Sequence, residues 1–331
     1  MKVVYAHEFG SHLRSSAYKY YLPLQKALGG EIVGVRGRED HPTLLEKIRA
    51  FEADVVMVRG DRSNLFVAPL EAGIPYVVCE NDVSSWRQGT TVRERTMLKN
   101  AAAVVFTSEA HRDHLVADGV RLPSSETVWL RPTRASLDFD PLPKLGGKHL
   151  VYAGGLLPWN RRTSPWGYRS YHRTFEAFIG AGWQVHLYPA QKSIKAEEYK
   201  AIGCHVHGRV PARDLYREMS QYTAGLHGYS WHGVPRRSLD YALHCMPNKT
   251  WEYLAAGIPT ITINGGVSAR TVVDGGWGVE VGRDLAGLDL LELPAIDPQV
   301  RLSQTIDGDV DRLAALVRRA AMSKARSGMA T

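Results

Sequence analysis

Short apolar runs alternate with amphipathic segments along most of the chain. The amphipathic segments, such as 41–52, have helical spacing. In the first half, the continuous apolar character predicts buried parallel strands at 2–6, 31–35, 54–58, 76–79 and 103–107. Strand–helix alternation of this kind is typical of a doubly wound α/β domain with right-handed crossovers.

Residues 130–148 interrupt this pattern, because they are rich in proline, glycine and charge, and they are predicted to form an interdomain linker. A second alternating set follows, with strands predicted at 149–154, 183–188, 204–208, 224–229, 260–264 and 278–282. The 331 residues suit two domains at roughly 100–200 residues each. We therefore predict an α/β protein with two Rossmann-like domains facing a cleft, 1–145 and 146–308. A C-terminal helix at 309–326 is predicted to pack back on the first domain.

The two halves of the chain differ in net charge. The net charge is +7, with 19 Lys and Arg against 18 Asp and Glu in residues 1–145, but 22 against 16 in residues 146–331. A basic second half favours an anionic ligand there. The charge by itself does not separate nucleic acid from a phosphorylated small molecule.

The cysteines and the apolar runs narrow the class of protein further. Cys79, Cys204 and Cys245 form no CxxC pair, so reduced thiols in a cytoplasmic protein are expected rather than a zinc or redox centre. The N-terminus shows no apolar run typical of a signal peptide, and no segment approaches 18 apolar residues. We expect no membrane-spanning segment.

The segment MPNKTWEYLAAGIPTITINGG at 246–266 gathers its polar side chains at one end. A helix is predicted from about Asn248 to Ala256, with Asn248 as N-cap and Gly257 as the stop. Lys249 would add a positive charge where a helix N-terminus already favours an anion, and Glu252 lies one turn further on the same face. A carboxylate there can accept two hydrogen bonds from a diol such as a ribose. The alternative is a capped surface helix with a solvated Lys–Glu pair.

The segment PNKTWEYLAAGIPTI resembles the donor-site motif of GT-B glycosyltransferases, especially the family 4-like group with its PNKxxEYLAAGxP pattern. The resemblance continues in chain order through AAAVVFTSEAHRDHL, KHLVYAGG, CHVHGRVPARDLYREMSQYTAGLHGY and GGVSARTVVDGGWGVEVG. It implies that Glu252 holds the nucleotide ribose, and that Asn248 and Lys249 contact the diphosphate. The donor would be a UDP-, GDP- or other nucleoside-diphosphate sugar, with no further cofactor.

Three positions depart from this pattern. Cys245 stands seven residues before Glu252, where many family 4 enzymes have a second glutamate. The acceptor-domain His-Asp pair is replaced by Asn81-Asp82, and the domain junction reads LRPT instead of Pro-Asn-Gly. Whether the transfer retains or inverts the anomeric configuration of the sugar therefore stays open. The contacts to the sugar are expected to come from other residues.

Other candidates follow predicted strands. Gly10, in the loop after the first strand, would allow backbone to approach the donor diphosphate. His7, Glu8 and Asp82 lie at strand ends and are candidate catalytic residues, for example as a base. A structural hydrogen-bonding role is the alternative for each of them.

Two loops of the second domain carry further candidates. Arginines alternate with aromatic residues at 154–173, and Arg161 or Arg162 is predicted to bind the diphosphate, since arginine can grip two phosphate oxygens. The alternatives are a solvated basic loop and a surface for single-stranded nucleic acid. In the loop predicted at 228–245, Tyr229 and His232 are expected to contact the donor. No metal site is predicted, because basic residues can neutralise the leaving diphosphate.

The sequence thus favours a glycosyltransferase that passes a sugar from a nucleoside-diphosphate sugar to an acceptor hydroxyl. One alternative is a glycosyltransferase acting on a modified base of nucleic acid. Another is a GT-B relative without transfer activity, such as a sugar-nucleotide epimerase or a binding protein. The acceptor stays open between glycan, protein, small molecule and DNA.

Overall fold

The computed structural model describes residues 1–8, 16–36, 40–60, 64–81, 83, 86, 92–190, 196–208 and 210–327, without the side chains of residues 7, 8, 16–18, 212, 213 and 324–327. The chain divides into two compact units. Unit 1 comprises Met1–Thr133 and Ile306–Thr331, and unit 2 comprises Arg134–Thr305.

Unit 1 is built on a parallel six-stranded sheet. Its strands are β1 (Val3–Glu8), β2 (Glu31–Val35), β3 (Val55–Arg59), β4 (Tyr76–Glu80), β5 (Ala103–Phe106) and β6 (Ser124–Thr127). The helices between them are α1 (Ser16–Leu28), α2 (His41–Phe51), α3 (Val67–Glu71), α4 (Val92–Asn100) and α5 (Glu109–Ala117). The strand order is β2-β1-β3-β4-β5-β6. The chain therefore reverses its direction of winding between β1 and β3.

Unit 2 has a second parallel six-stranded sheet. Its strands are β7 (His149–Gly154), β8 (Gln184–Pro189), β9 (His205–Val206), β10 (Ala224–Gly228), β11 (Thr260–Ile263) and β12 (Gly278–Val281). Its helices are α6 (His172–Gly180), α7 (Ala196–Ala201), α8 (Ala212–Met219), α9 (Arg236–His244), α10 (Lys249–Ala255), α11 (Val267–Asp274) and α12 (Pro298–Ser303). The order β12-β11-β10-β7-β8-β9 is that of a doubly wound Rossmann sheet. Its winding reverses between β7 and β10.

The apolar strands of unit 1 are continuous because both faces of the sheet are covered. Val4, Val56 and Val78 pack into one core, and their neighbours Val55 and Val77 pack into another on the opposite face. The last helix, α13 (Val310–Ser327), covers the second face through buried residues that include Leu313, Leu316 and Val317. In the described part of the chain, no helix is long and apolar enough to cross a membrane.

Residues 134–145, assigned to the first domain from the sequence, lie in unit 2. Leu137 is buried in a core cluster with Val151 and Tyr253. The backbone N–H of Leu145 donates to the carbonyl of Gln221 at 2.9 Å. These contacts tie the predicted linker to the second sheet, although its composition is that of a loop.

Two elements differ from the sequence prediction. Strand β6 was not predicted, because Ser124–Thr127 is polar, yet it pairs in parallel with β5 along four residues at the sheet edge. The C-terminal half of the loop predicted at 228–245 is helix α9. Pro235 precedes the helix, and Ser238, Tyr241 and Ala242 form its buried face at helical spacing.

Gly228 ends β10 in a conformation that requires glycine. Its φ is +99°, and a Cβ there would overlap the carbonyl oxygen of Ile263. We expect Gly228→Ala to lower the free energy of unfolding by about 2 kcal/mol or more. Urea unfolding would measure this. Gly180→Ala is the control, because a Cβ at Gly180 meets nothing within 4 Å; an equal loss in both variants would contradict the steric explanation.

Candidate functional site

The sheet of unit 2 opens at its point of reversal. β7 pairs with β8 along all six residues from His149 to Gly154. Its pairing with β10 is confined to Leu150 and Val151 among the described residues. Strands that part in this way leave a crevice at their carboxyl ends, which is where open α/β sheets bind ligands.

Two tyrosines of unit 2 satisfy backbone groups beside this crevice. The Tyr253 hydroxyl accepts from the N–H of Ala153 at 3.3 Å, and the Tyr171 hydroxyl donates to the carbonyl of Gly228 at 2.7 Å. Gly225 leaves room for the Tyr253 ring, because a Cβ there would overlap it. These hydrogen bonds therefore stabilise the opening between β7 and β10.

Helix α10 places charged side chains at this crevice. Every residue of α10 is buried except Lys249 and Glu252, which are half-buried. The helix is anchored by Thr250, whose carbonyl accepts from the Trp277 indole at 3.2 Å and whose hydroxyl lies 3.0 Å from His227 Nε2. The polar end of the 246–266 segment is thus the accessible side of an otherwise internal helix.

Lys249 reaches the end of β7. Its Nζ lies 4.9 Å from the centroid of the Tyr152 ring, and a Cβ at Gly154 would lie 2.8 Å from it. The Tyr152 hydroxyl in turn donates to the carbonyl of Gly155 at 2.9 Å. The ammonium group of Lys249 is therefore held beside Gly154 and Gly155, where the crevice begins.

Asn248 does not cap α10 as predicted. It occupies the N-cap position with helical φ and ψ of −52° and −33°, and within the described residues its side chain makes no capping hydrogen bond. The N–H of Thr250 already bonds to the carbonyl of Pro247 at 3.0 Å. The first turn is therefore wound from Pro247, and the Asn248 side chain is left for other contacts.

Four buried polar atoms near the carboxyl ends of β10 and β11 have no hydrogen-bond partner in the described part of the chain. They are His227 Nδ1, Ser230 Oγ, His232 Nε2 and Asn264 Oδ1. Asn264 is held in the left-handed region at φ 69°, and its Nδ2 donates to the carbonyl of Tyr229 at 3.2 Å. Buried polar groups are normally satisfied, so these four atoms are candidates to hydrogen-bond a ligand.

The two histidines of this set are held neutral near pH 7. Burial, with the Lys249 charge as the second cause, lowers the pKa of His227 to about 3. Burial also lowers the pKa of His232, with Arg173 as the second cause. Each neutral imidazole has one nitrogen that donates and one that accepts, which suits hydroxyl groups.

The two candidate phosphate-binding arginines occupy different surroundings. Arg161 is exposed at the end of a 3₁₀ turn. The Arg162 guanidinium stacks 4.6 Å from the Trp159 ring centroid and donates to the Trp159 carbonyl at 3.2 Å. A Cβ at Gly233 would lie 3.3 Å from the Arg162 side chain, so Arg162 joins the loops that follow β7 and β10.

Cys245, which stands where many family 4 enzymes have a glutamate, lies in the interior of unit 2. Cys245 is buried, and its thiol donates to the carbonyl of Ala242 at 3.3 Å. The neighbouring Tyr229 is 8% exposed and packs edge-on against Tyr168, with ring centroids 4.8 Å apart. Burial raises the pKa of Tyr229, with Cys245 as the second cause, so its hydroxyl stays protonated.

The candidates of unit 1 are described less fully. His7 and Glu8 are the last residues of β1, but their side chains are not described, and Gly10 and Asp82 lie outside the described residues. Glu80, at the end of β4, is fully buried against Gly60, where a Cβ would overlap its carboxylate.

No family model matches this sequence, and no curated protein matches it. Solved structures do match it over almost the whole chain. AviGT4, a glycosyltransferase involved in avilamycin A biosynthesis, is 15% identical with a TM-score of 0.63, covering 98% of this chain and 99% of AviGT4. Sucrose-phosphate synthase from Thermosynechococcus elongatus is 13% identical with a TM-score of 0.60, covering 98% of this chain and 93% of the synthase.

This chain has the GT-B fold. HepE from Anabaena, solved in complex with UDP, matches it with 12% identity and a TM-score of 0.55, over 98% of this chain and 95% of HepE. A structure described as a UDP-N-acetylglucosamine 2-epimerase of Listeria monocytogenes also matches. The expectation of two Rossmann-like units is confirmed.

Sequence reasoning missed two of the residues with unsatisfied buried atoms, His227 and Asn264. His227 is internal to a predicted strand, where an apolar residue is expected. Asn264 had a detectable signal, because Asn-Gly-Gly directly after a strand is typical of a left-handed turn. Neither signal shows that the side chain has an unsatisfied atom.

Proposed function

We propose that the chain is a glycosyltransferase of the family 4-like GT-B group. It would transfer a sugar from a nucleoside-diphosphate sugar to an acceptor hydroxyl, with the nucleotide bound in unit 2. One observation carries this proposal. Lys249 and Glu252 are the two accessible residues of an otherwise buried helix, and Lys249 is held at the end of β7.

The geometry of α10 supports separate roles for these two residues. Lys249 lies at the crevice between β7 and β10, and we assign it to the diphosphate. Glu252 lies one helical turn later, about 4.5 Å along the helix axis by the rise per residue. That offset suits a carboxylate that accepts hydrogen bonds from the ribose hydroxyls of the same nucleotide.

Leaving-group stabilisation would supply much of the rate. A glycosyl transfer leaves negative charge on the departing diphosphate, and fixed cations aimed at that charge lower the barrier. We assign Lys249 and Arg162 to this role without a metal ion, and keep the exposed Arg161 as a second, outer cation. Asn248 is available to hydrogen-bond phosphate oxygen, because its side chain is not used as a cap.

The sugar end of the donor would be bound by neutral groups. Ser230, His232 and Asn264 present unsatisfied buried atoms, and Tyr229 directly precedes Ser230 in the chain. These groups can replace the carboxylate that family members have at the position of Cys245. The acceptor would be activated by His7, Glu8 or Asp82 of unit 1, with Gly10 allowing backbone to approach the phosphates.

A thermal-shift screen with UDP, GDP and their common sugars tests the nucleotide assignment. A nucleotide supplied at 100 times its dissociation constant stabilises the fold by roughly 2.7 kcal/mol, and we expect a shift of that order for one base. The binding of UDP by HepE makes UDP the first choice. The absence of any shift with the whole panel would contradict the proposal.

An epimerase is the second candidate, because one match to this fold is described as an epimerase. Incubation with the stabilising nucleotide sugar separates the two activities. Release of nucleoside diphosphate that depends on an acceptor supports transfer. Conversion of the sugar to its epimer with no acceptor present supports the alternative.

A further inference from the structure

A second pocket lies in unit 2. Its volume is about 660 Å³, and it is lined by residues of α6 and α7 and by Trp159 and Asn160. Volumes of this size are typical of small-molecule sites. None of its lining residues belongs to the set assigned above to nucleotide or sugar binding.

The wall of this pocket is prearranged. The His172 ring stacks on Tyr199 with centroids 4.2 Å apart, and the Tyr199 hydroxyl donates to the carbonyl of Leu157 at 2.6 Å. Glu198 accepts from the backbone N–H of Trp159 at 3.2 Å, which joins α7 to the loop. Side chains held in this way lose little further freedom when a ligand binds.

The polar groups that line the pocket carry both charges. Arg173 is a donor, Glu176 and Glu198 are acceptors, and the Asn160 amide is both. His172 Nε2 is buried, and Glu198 Oε2 lies 3.4 Å from it. Burial lowers the pKa of His172 against the opposing effect of the two carboxylates.

We propose that this pocket binds an uncharged saccharide. Sugar hydroxyls both donate and accept, so they can use the carboxylates and the guanidinium at once. The half-buried Trp159 adds apolar surface to the same wall. Two carboxylates disfavour a phosphorylated ligand, which distinguishes this pocket from the crevice beside Lys249.

Isothermal titration calorimetry with maltose, cellobiose and N,N′-diacetylchitobiose tests this proposal on the full chain, with no nucleotide present. We expect at least one of these disaccharides to bind, and Glu176→Gln to weaken that binding about tenfold through loss of a charge-assisted hydrogen bond. Glu197→Gln is the matched control, since Glu197 is exposed on α7 and pairs with Lys200 at 3.0 Å.

Several outcomes would overturn the proposal. These are no binding by any of the three disaccharides, equal binding by wild type and Glu176→Gln, and displacement of the disaccharide by UDP. Tight binding of spermidine that competes with the disaccharide would identify a cation site instead. Circular dichroism of Glu176→Gln establishes that the variant is folded. Because direct binding is measured, the result does not depend on whether the chain transfers sugar.

Discussion

Acidification is expected to destabilise unit 2 strongly. Between about pH 7.5 and about pH 4.5 we expect its free energy of unfolding to fall by several kcal/mol, with about 2–3 kcal/mol from each of two buried histidines, His186 and His227. Burial is the largest cause of the lowered pKa in both, and the pKa of each is about 3. The neighbouring His205, His207 and His149 act on the pKa of His186 in the same direction as burial.

His186 is the centre of a hydrogen-bonded chain of imidazoles at the β7–β8–β9 edge. His149 Nε2 lies 2.9 Å from the carbonyl of Gly146, so that nitrogen carries the proton. His149 Nδ1 then accepts from His186 Nε2 at 3.0 Å, and His186 Nδ1 accepts from His207 Nε2 at 3.0 Å. The whole chain is satisfied by neutral rings.

The groups packed around His186 determine how it responds to acid. His205 stacks on it with centroids 4.7 Å apart, and Tyr222 lies at the same centroid distance. Glu218 is the nearby carboxylate, and it raises the pKa of His207 against the larger effect of burial. In the described chain no group of three or more of these side chains is arranged to hold a metal ion.

The sign of the effect follows from the lowered pKa. A folded imidazole with a pKa of about 3 stays neutral where the unfolded one, at 6.5, takes up a proton. The contribution is complete above pH 6.5 and is lost as the pH falls from 6.5 toward 3. Urea unfolding at several pH values, followed by tryptophan fluorescence, measures it, because six of the eight tryptophans lie in unit 2.

The variant His186→Gln separates the contribution of His186 to acid destabilisation from that of His227. It removes one titrating group and keeps a side chain able to hydrogen-bond, so about 2–3 kcal/mol of the acid-induced loss should disappear. Its stability near neutral pH is compared with wild type in the same experiment. An unfolding free energy that is constant across this pH range would show that neither histidine is held neutral by the fold.

The second large effect is expected at α10. Lys249→Met should weaken the binding of UDP about tenfold or more and leave uridine binding unchanged, because only the phosphate charge loses its partner. Glu252→Gln should weaken UDP and uridine alike, by about tenfold, because both present the ribose diol. Calorimetry with the two ligands measures this pattern, using GDP and guanosine if the thermal-shift screen selects guanine.

Matched substitutions on α7 control for charge alone. Lys200→Met and Glu197→Gln remove the same groups from an exposed ion pair and should leave both affinities at the wild-type value. Both α10 variants should stay folded, since Lys249 and Glu252 are the residues of the helix that are not buried. Equal loss of uridine and UDP in Lys249→Met would remove the assignment of Lys249 to phosphate.

Local pattern predicted most elements of the fold. Eleven strands were predicted within about one or two residues, because a parallel strand covered on both faces must be apolar along its length. The polar edge strand β6 escaped this rule. Helix α9 was obscured by the Gly, Pro and Arg residues before it, although its buried positions are three and four residues apart.

The site was only partly predictable. The sequence singled out Lys249 and Glu252 because a helix with its polar residues at one end is unusual. It assigned a capping role to Asn248 that the winding of the first turn from Pro247 excludes. It left Arg161 and Arg162 equivalent, whereas contact with Trp159 and Gly233 places Arg162 between two loops.

The sequence by itself determined the alternation of strands and helices, the presence of two α/β units and the polar end of α10. These follow from burial and turn chemistry, which act on neighbouring residues. Only the tertiary structure decided that Lys249 lies against Gly154 and that His149, His186 and His207 form one chain. Such pairs meet because of strand order, and strand order depends on long-range packing of the sheet that no local pattern records.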